Sequence, residues 1–369
     1  MSRGLIKFQI TLFTLLIIGA GCSHLSIDPA TKTALVVEEN LVKCFPKSTK
    51  YSDGRKVSCE VSAAAYIDGK IYTASDKPVP EPRSSFFVFN SKGSLDDISS
   101  FLVSPIFKSI QKTEDMAVDF ENKRVFAITG FDRIKTSNHS WDSFNTLFVF
   151  EKDNEDEVKV FNKEINEGHV SSLYIRDLLK EAIKRPYFKT EGLAYLGEGK
   201  LLIGVREVGG SYKTPENVIK VYQLRFKEKN GEFFAEGKLE ELFSVDPLTL
   251  NKELPLSLSS IEYNRKDNSL FMLTSYELAE NDEAIGAFLW KASLNNIKDK
   301  TLKLTPVLDK NGDQVHFAHK AEGLTILPGN KVLVVHDDDR VKGRKEITNP
   351  KTQFHRPRHK FAYTIIEFK

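Results

Sequence analysis

Three stretches of this chain align over nineteen residues without a gap: KTEDMAVDFENKRVFAITG at 112 to 130, KTEGLAYLGEGKLLIGVRE at 189 to 207 and KAEGLTILPGNKVLVVHDD at 320 to 338. Each has Lys first, Glu third, Leu or Met fifth and Lys twelfth. A repeat constrains the fold more than any single motif, because each copy must be one supersecondary unit that buries its apolar face against the next. Two weaker copies complete the series. LSSIEYNRKDNSLFMLTS (258 to 275) has Ser259 at the glutamate position, and SAAAYIDGKIYTASD (62 to 76) has Ser62 there. The anchors at 62, 114, 191, 259 and 322 lie 52 to 77 residues apart, which is room for one large unit per repeat.

Each copy reads as strand, tight turn, strand. The turns IDGK, FENK, GEGK, RKDN and PGNK carry the Gly, Asn and Asp of short hairpins. A third strand follows each pair at SSFFVFN, NTLFVFEK, NVIKVYQLRF, GAFLWKASL and FAYTIIEFK, and fourth strands fit VKVFNKE, LEELFSV and LKLTPVLD. Four antiparallel strands repeated five times predict an all-β fold, a β-propeller of five blades. The last blade is one strand short at the C-terminus, and TALVVEENLVKCF completes it from the other end, sealing an open sheet edge. The 165 to 189 segment leaves six blades as the alternative. Its core SSLYIRDLLKEAI has apolar residues at helical spacing, so we read a helix inserted between blades near 170 to 184.

The first residues have a different composition. Arg3 and Lys7 precede an apolar run from Phe8 to Ile18, too short to span a bilayer comfortably and suited to a signal peptide. IIGAGC resembles the lipobox of bacterial lipoproteins, which implies a signal peptide at 1 to 21, acylation of Cys22, a tether over 22 to 32 and one propeller domain over 33 to 369. The expected address is a bacterial membrane, facing the periplasm or the cell surface, with the bilayer as partner through the acyl chains. With Cys22 lipidated, Cys44 and Cys59 remain as a pair able to close a small disulfide loop. A net charge of +2 carries no message about nucleic acid, and we expect no such partner, and a monomer.

Function belongs to one face of the ring. The connections after the second strands are long, whereas the inner turns are short, and loops on a rigid scaffold are where binding sites collect. Glu114, Glu191 and Glu322 begin inner strands and converge at one mouth of the central channel with Ser62 and Ser259. Lys112, Lys189 and Lys320 stand two residues earlier, on the same side by the two-residue period. Asp76, Asp132, Arg206, Glu207, Glu277, Asp337, Asp338 and Asp339 join the rim at the strand exits. The ring has three readings: Lys/Glu pairs that hold blades together, a hard-cation site in which Glu114, Glu191 and Glu322 bind Ca²⁺, or direct acid/base use of one glutamate.

TEGLAYLGEGKLLIGVRE and AEGLTILPGNKVLVVHDDD resemble the blade motif of bacterial phytase-like, esterase-like β-propeller domains, and more distantly that of gluconolactonase-type calcium propellers. The second resemblance implies a metal-binding glutamate at Glu191 and Glu322, and at Glu114, where Asp115 replaces the motif's glycine. Serine at the other two positions departs from a full acidic ring.

Other candidates are weaker. Arg340 to Lys360 contains eight Lys/Arg against Glu346 alone, with His355 and His359, and suits a small anionic ligand or envelope component on the long-loop face. DKNGDQ (309 to 314) reads as a turn, and His336 as a structural histidine beside His316 and His319. No Gly-x-Ser-x-Gly, phosphate loop, Cys-x-x-Cys or His-Glu-x-x-His occurs.

Two functions follow. One is a Ca²⁺-assisted ester or phosphoester hydrolase with Glu191, Glu322 and Arg206 as catalytic groups and Lys112, Lys189, Lys320, Arg206, Asp337 and Asp338 on the ligand. The other is an envelope-anchored module that binds a glycan, lipid or protein without turnover.

Overall fold

A computed structural model describes residues 33–90, 100–135, 137–278, 285–337, 344–345, 353–354 and 357–369. Five antiparallel sheets stand in a ring. The first blade runs outward from Val61–Ile67 through Lys70–Ser75 and Phe86–Asn90 to Ser100–Phe101. The second runs from Thr113–Asp119 to Asn154–Val160, and the third from Tyr187–Gly197 to Glu232–Val245. The fourth begins at Ser257–Asn264, and its third strand, Ile285–Ser293, is edged by two short pieces, Thr305–Pro306 and His316–Phe317. In the fifth, Ala321–Leu327, Lys331–His336 and Lys360–Phe368 are completed by Ala34–Lys43, so strands from both ends of the described chain close the ring.

The propeller therefore has five blades. The segment that left room for a sixth holds a small hairpin, Glu164–Asn166 with His169–Ser171, and the helix Leu173–Ile183. Ile175, Leu178 and Leu179 are buried on one side of that helix, which packs on the second and third blades.

Apolar residues alternate on both faces of each blade, and the consequence is a divided core: five clusters, each between two consecutive sheets. Phe86, Phe107, Phe148 and Phe150 fill the space between the first and second blades with tilted and edge-on ring contacts. Between the fifth and first blades lies the Cys44–Cys59 disulfide, its Cα atoms 6.2 Å apart. The backbone NH groups of Cys44 and Cys59 donate to His359 O and Arg358 O, so the bonded loop is pinned at the start of the strand that closes the ring.

Candidate functional site

Every inner strand carries a register shift at its anchor. Pairing with the second strand skips Ser62, Glu114, Glu191, Ser259 and Glu322 in turn. A β-bulge sets two residues opposite one and re-aims the extra side chain. Here it turns the three glutamates into one end of the channel. Arg206 is the skipped residue of the third blade's second strand.

The residue after each bulge meets the neighbouring blade. A Cβ at Gly192 would lie 3.1 Å from Gly204 Cα and from Ile261 Cγ1, and one at Gly323 would lie 3.0 Å from Ala63 Cα. The Glu-Gly-Leu motif thus has two separate causes: a glutamate for the mouth and a glycine for the close approach of inner strands. Asp115 takes the glycine's position in the second blade and uses it differently. Its carboxylate accepts from Met116 N (2.9 Å), Leu193 N (2.8 Å), Ile261 N (3.3 Å) and Ser260 Oγ (3.1 Å), joining three blades beneath the mouth. Burial holds Asp115 well above the usual carboxylate range.

Above this floor the charges interlock. Lys112 Nζ lies 3.3 Å from Glu114 Oε1 and 2.8 Å from Asp132 Oδ2. Lys189 bridges blades, with Nζ 3.4 Å from Glu114 Oε1 and in contact with Glu191 Oε1. Arg206 Nη1 reaches Glu191 Oε2 and Ser259 Oγ at 3.1 Å each and Ser275 Oγ at 2.9 Å. Lys320 Nζ stands 2.5 Å from Glu322 Oε1 and 2.8 Å from Glu277 Oε1. Ser62 instead donates to Thr113 O of the next blade.

The two glutamates that share Lys189 differ in acidity. Burial pushes the Glu114 carboxyl up to about 7, against the pull of Lys189 and Lys112. Burial opposes ionisation of Glu191 as well, but Arg206 and Lys189 outweigh it and hold that carboxyl below its ordinary value. Glu322 is raised, again chiefly by burial. Glu114 therefore keeps its proton to higher pH than Glu191, although both stand on the same ammonium.

These groups wall an open cavity of about 350 Å³ at the channel mouth. Among the described residues five cations line it (Lys77, Lys112, Lys189, Arg206, Lys320) against six carboxyl groups, and Glu191 and Asp132 pair with two of those lysines. Glu60, Asp76 and Asp337 bring three carboxylate oxygens within 4.8 Å of one another, and Lys77 Nζ pairs with two of them, 3.1 Å from Glu60 and 2.8 Å from Asp76.

A second hollow of about 600 Å³ opens beside the mouth, sharing Lys112, Lys189 and Glu207 with it. Loops of the second and third blades supply Arg133, Trp141 and Tyr212, the inserted helix Arg176, and the start of the third blade's inner strand Tyr187.

The structure thus gathers Glu114, Glu191, Glu322, Lys112, Lys189, Lys320, Arg206 and Asp337 at one mouth, as the repeat predicts, and bonds Cys44 to Cys59. Cys22, Asp338, His355 and most of the basic 340 to 360 loop lie outside the described residues. His336 is buried, with Nε2 2.9 Å from Thr364 Oγ1, and Asp309 closes the DKNGDQ turn on Asn311 N and Asp313 N, so both take their structural readings. Glu60, Lys77, Arg176, Trp141 and Tyr212 are not singled out by sequence reasoning. The signal available was aromatic residues within long loops of the decorated face.

No family model matches this chain, and no curated protein matches its sequence. Among solved structures it is similar to an α-L-arabinofuranosidase from Podospora anserina, at 8% identity over 89% of this chain and 96% of that one, TM-score 0.44. A GH62 hydrolase in complex with xylotriose gives 8% identity, 89% and 97% coverage and TM-score 0.45. A putative glycosidase from Bacteroides thetaiotaomicron gives 11%, 93% and 95%, with TM-score 0.43. These likenesses concern the course of the chain and say nothing of substrate. The fold is a five-bladed propeller with a charged, cavity-bearing channel mouth.

Proposed function

We propose that the chain is a hydrolase anchored at a bacterial envelope, in which Glu114 protonates a leaving oxygen and Glu191 activates the attacking water. The observation that carries this reading is the shared Lys189 ammonium between two glutamates whose acidities are driven apart. Water's oxygen joins the electrophilic carbon, its proton passes to Glu191, and the departing alcohol takes the proton of Glu114. Arg206 and Lys189 hold Glu191 charged before the step and orient it. The bond cleaved is an uncharged C–O bond of a small polar ester or acetal. A phosphoester dianion fits less well, because it would meet Asp76, Glu207, Glu277 and Asp337 beside the cations of the mouth. The lipobox-like IIGAGC is what directs this activity to a membrane.

Ca²⁺ enters this reading at a different position from the one the repeat suggests. The three ring glutamates face Lys112, Lys189, Lys320 and Arg206; Glu60, Asp76 and Asp337 bring three oxygens together around Lys77, which a hard cation would have to displace. A non-catalytic binding module is the second reading, favoured by the same pairing, since matched charges also serve to hold blades together.

A chromogenic panel of 4-nitrophenyl esters, glycosides and phosphate, with and without added Ca²⁺, separates these readings. The hydrolase reading expects turnover of esters or glycosides, reduced about 10²- to 10⁴-fold in Glu114→Gln and Glu191→Gln with folding intact. Turnover unchanged in both variants would remove the pair from the chemistry. A Ca²⁺-dependent rise in the unfolding midpoint that is lost in Asp76→Asn, but kept in Glu322→Gln, would assign the cation to the trio.

A further inference from the structure

The side hollow contains a cation that the mouth does not use. Arg176 sits in the first turn of the inserted helix, is only 5% exposed and lines the hollow. Among the described residues its guanidinium has no hydrogen-bond or ion-pair partner, and Nε is buried without one. The Phe188 ring lies 4.8 Å from Cζ, and the Asp177 and Asp132 carboxylates act on the guanidinium from beyond ion-pair distance, too weakly to offset its burial. A desolvated guanidinium costs free energy unless something answers its donors, and a neutral ring face does so only in part.

Everything around it points to what that partner is. Lys112, Arg133, Arg176 and Lys189 line the hollow against Asp132 and Glu207, so cations exceed carboxylates here, the reverse of the mouth. Lys112 and Lys189 are engaged by Glu114, Glu191 and Asp132, and Arg133 by Asp132, which leaves Arg176 as the donor set available to a ligand. Trp141 and Tyr212 are 40% and 70% exposed at the same hollow, with Lys135 Nζ and Lys213 Nζ 5.8 Å and 6.0 Å from their ring centroids, and present ring surface to an incoming ligand.

We propose that this hollow binds an oxyanion attached to a ring, the anionic group forked by Arg176 and the ring covered by Trp141 and Tyr212. Carboxylate and phosphoryl groups share the geometry a guanidinium recognises. Binding is read directly here, so the site stands or falls independently of hydrolysis at the mouth.

Calorimetric titration of the full chain with benzoate, phenyl phosphate and benzamide tests it. Benzoate or phenyl phosphate should bind, the tighter of the two assigning the anion, and benzamide should bind about 10- to 100-fold more weakly. Arg176→Gln should abolish the preference for the anion, while Tyr212→Ala, at an exposed position, should weaken all binding without touching the fold. Equal affinity for benzoate, phenyl phosphate and benzamide in the unsubstituted protein would overturn the proposal, as would binding unchanged in Tyr212→Ala. So would no binding of either anion. None of these outcomes depends on Arg176→Gln folding.

Discussion

The mouth and the hollow beside it share Lys112, Lys189 and Glu207, yet they handle buried charge in opposite ways. At the mouth each cation is answered: Arg206 alone contacts Glu191, Ser259 and Ser275. In the hollow Arg176 is as little exposed as Arg206, yet it has the Phe188 ring against it and the Asp132 and Asp177 carboxylates only at longer range. A satisfied network fixes geometry and shifts acidities, which suits chemistry, whereas an unsatisfied donor set stores free energy that a ligand can release, which suits binding. Burial alone therefore does not mark a functional arginine; what its donors lack does.

The sharpest break of this contrast is a matched pair of substitutions. Arg206→Met leaves Glu191 buried without its main counter-ion and should cost about 3–5 kcal/mol in denaturant unfolding. Arg176→Met removes a desolvated charge, so it should change stability by less than about 1 kcal/mol in either direction, the lost ring contact offsetting the relief. Similar large losses from both would mean that Arg176 is as well satisfied as Arg206.

Beneath the mouth the expected effect is somewhat smaller. Asp115→Ala deprives Leu193 N, Ile261 N and Ser260 Oγ of one acceptor and should cost about 2–3 kcal/mol, with faster amide exchange where the second, third and fourth blades meet.

A pH scan gives a third test. Burial raises the Glu262 carboxyl to about 8 on the inner strand of the fourth blade, as it raises Glu114 to about 7. The native state holds these protons more tightly than the unfolded chain. Their contribution is therefore full below the ordinary glutamate range and is lost progressively as pH climbs from there to between 7 and 8. The thermal midpoint should fall across that interval, and Glu262→Gln should flatten the fall. A midpoint that rises over the same interval would contradict the assignment. The smallest effect is expected at Tyr212, where alanine should alter stability by less than about 0.5 kcal/mol.

Much of this architecture was legible because repeats write the same physics several times. Gly-rich turns, β-branched strands and five anchors specify the blades, and the short C-terminal blade specifies its N-terminal partner. Ile175, Leu178 and Leu179 reveal the inserted helix by their spacing. The bulges were not legible, since a two-residue period runs unbroken through Glu114, Glu191 and Glu322 in sequence and only the pairing in space skips them. Asp115 looked like a defect in Glu-Gly-Leu because its partners, Leu193 and Ser260, belong to other blades. Arg176 was hidden for a related reason: a charged residue in an amphipathic helix reads as its solvent face, and only the packing of that helix against Phe188 buries it.

The central claim concerns the two glutamates on Lys189, and their proton affinities can be observed without a substrate. Carboxyl carbon NMR of glutamate-labelled protein, titrated from pH 3 to 9 and assigned with Glu114→Gln and Glu191→Gln, follows each group. The account predicts that Glu114 titrates near 7 and Glu191 below the ordinary glutamate value. If both titrate together in the ordinary range, Lys189 does not separate an acid from a base, and the mouth is a clasp between blades.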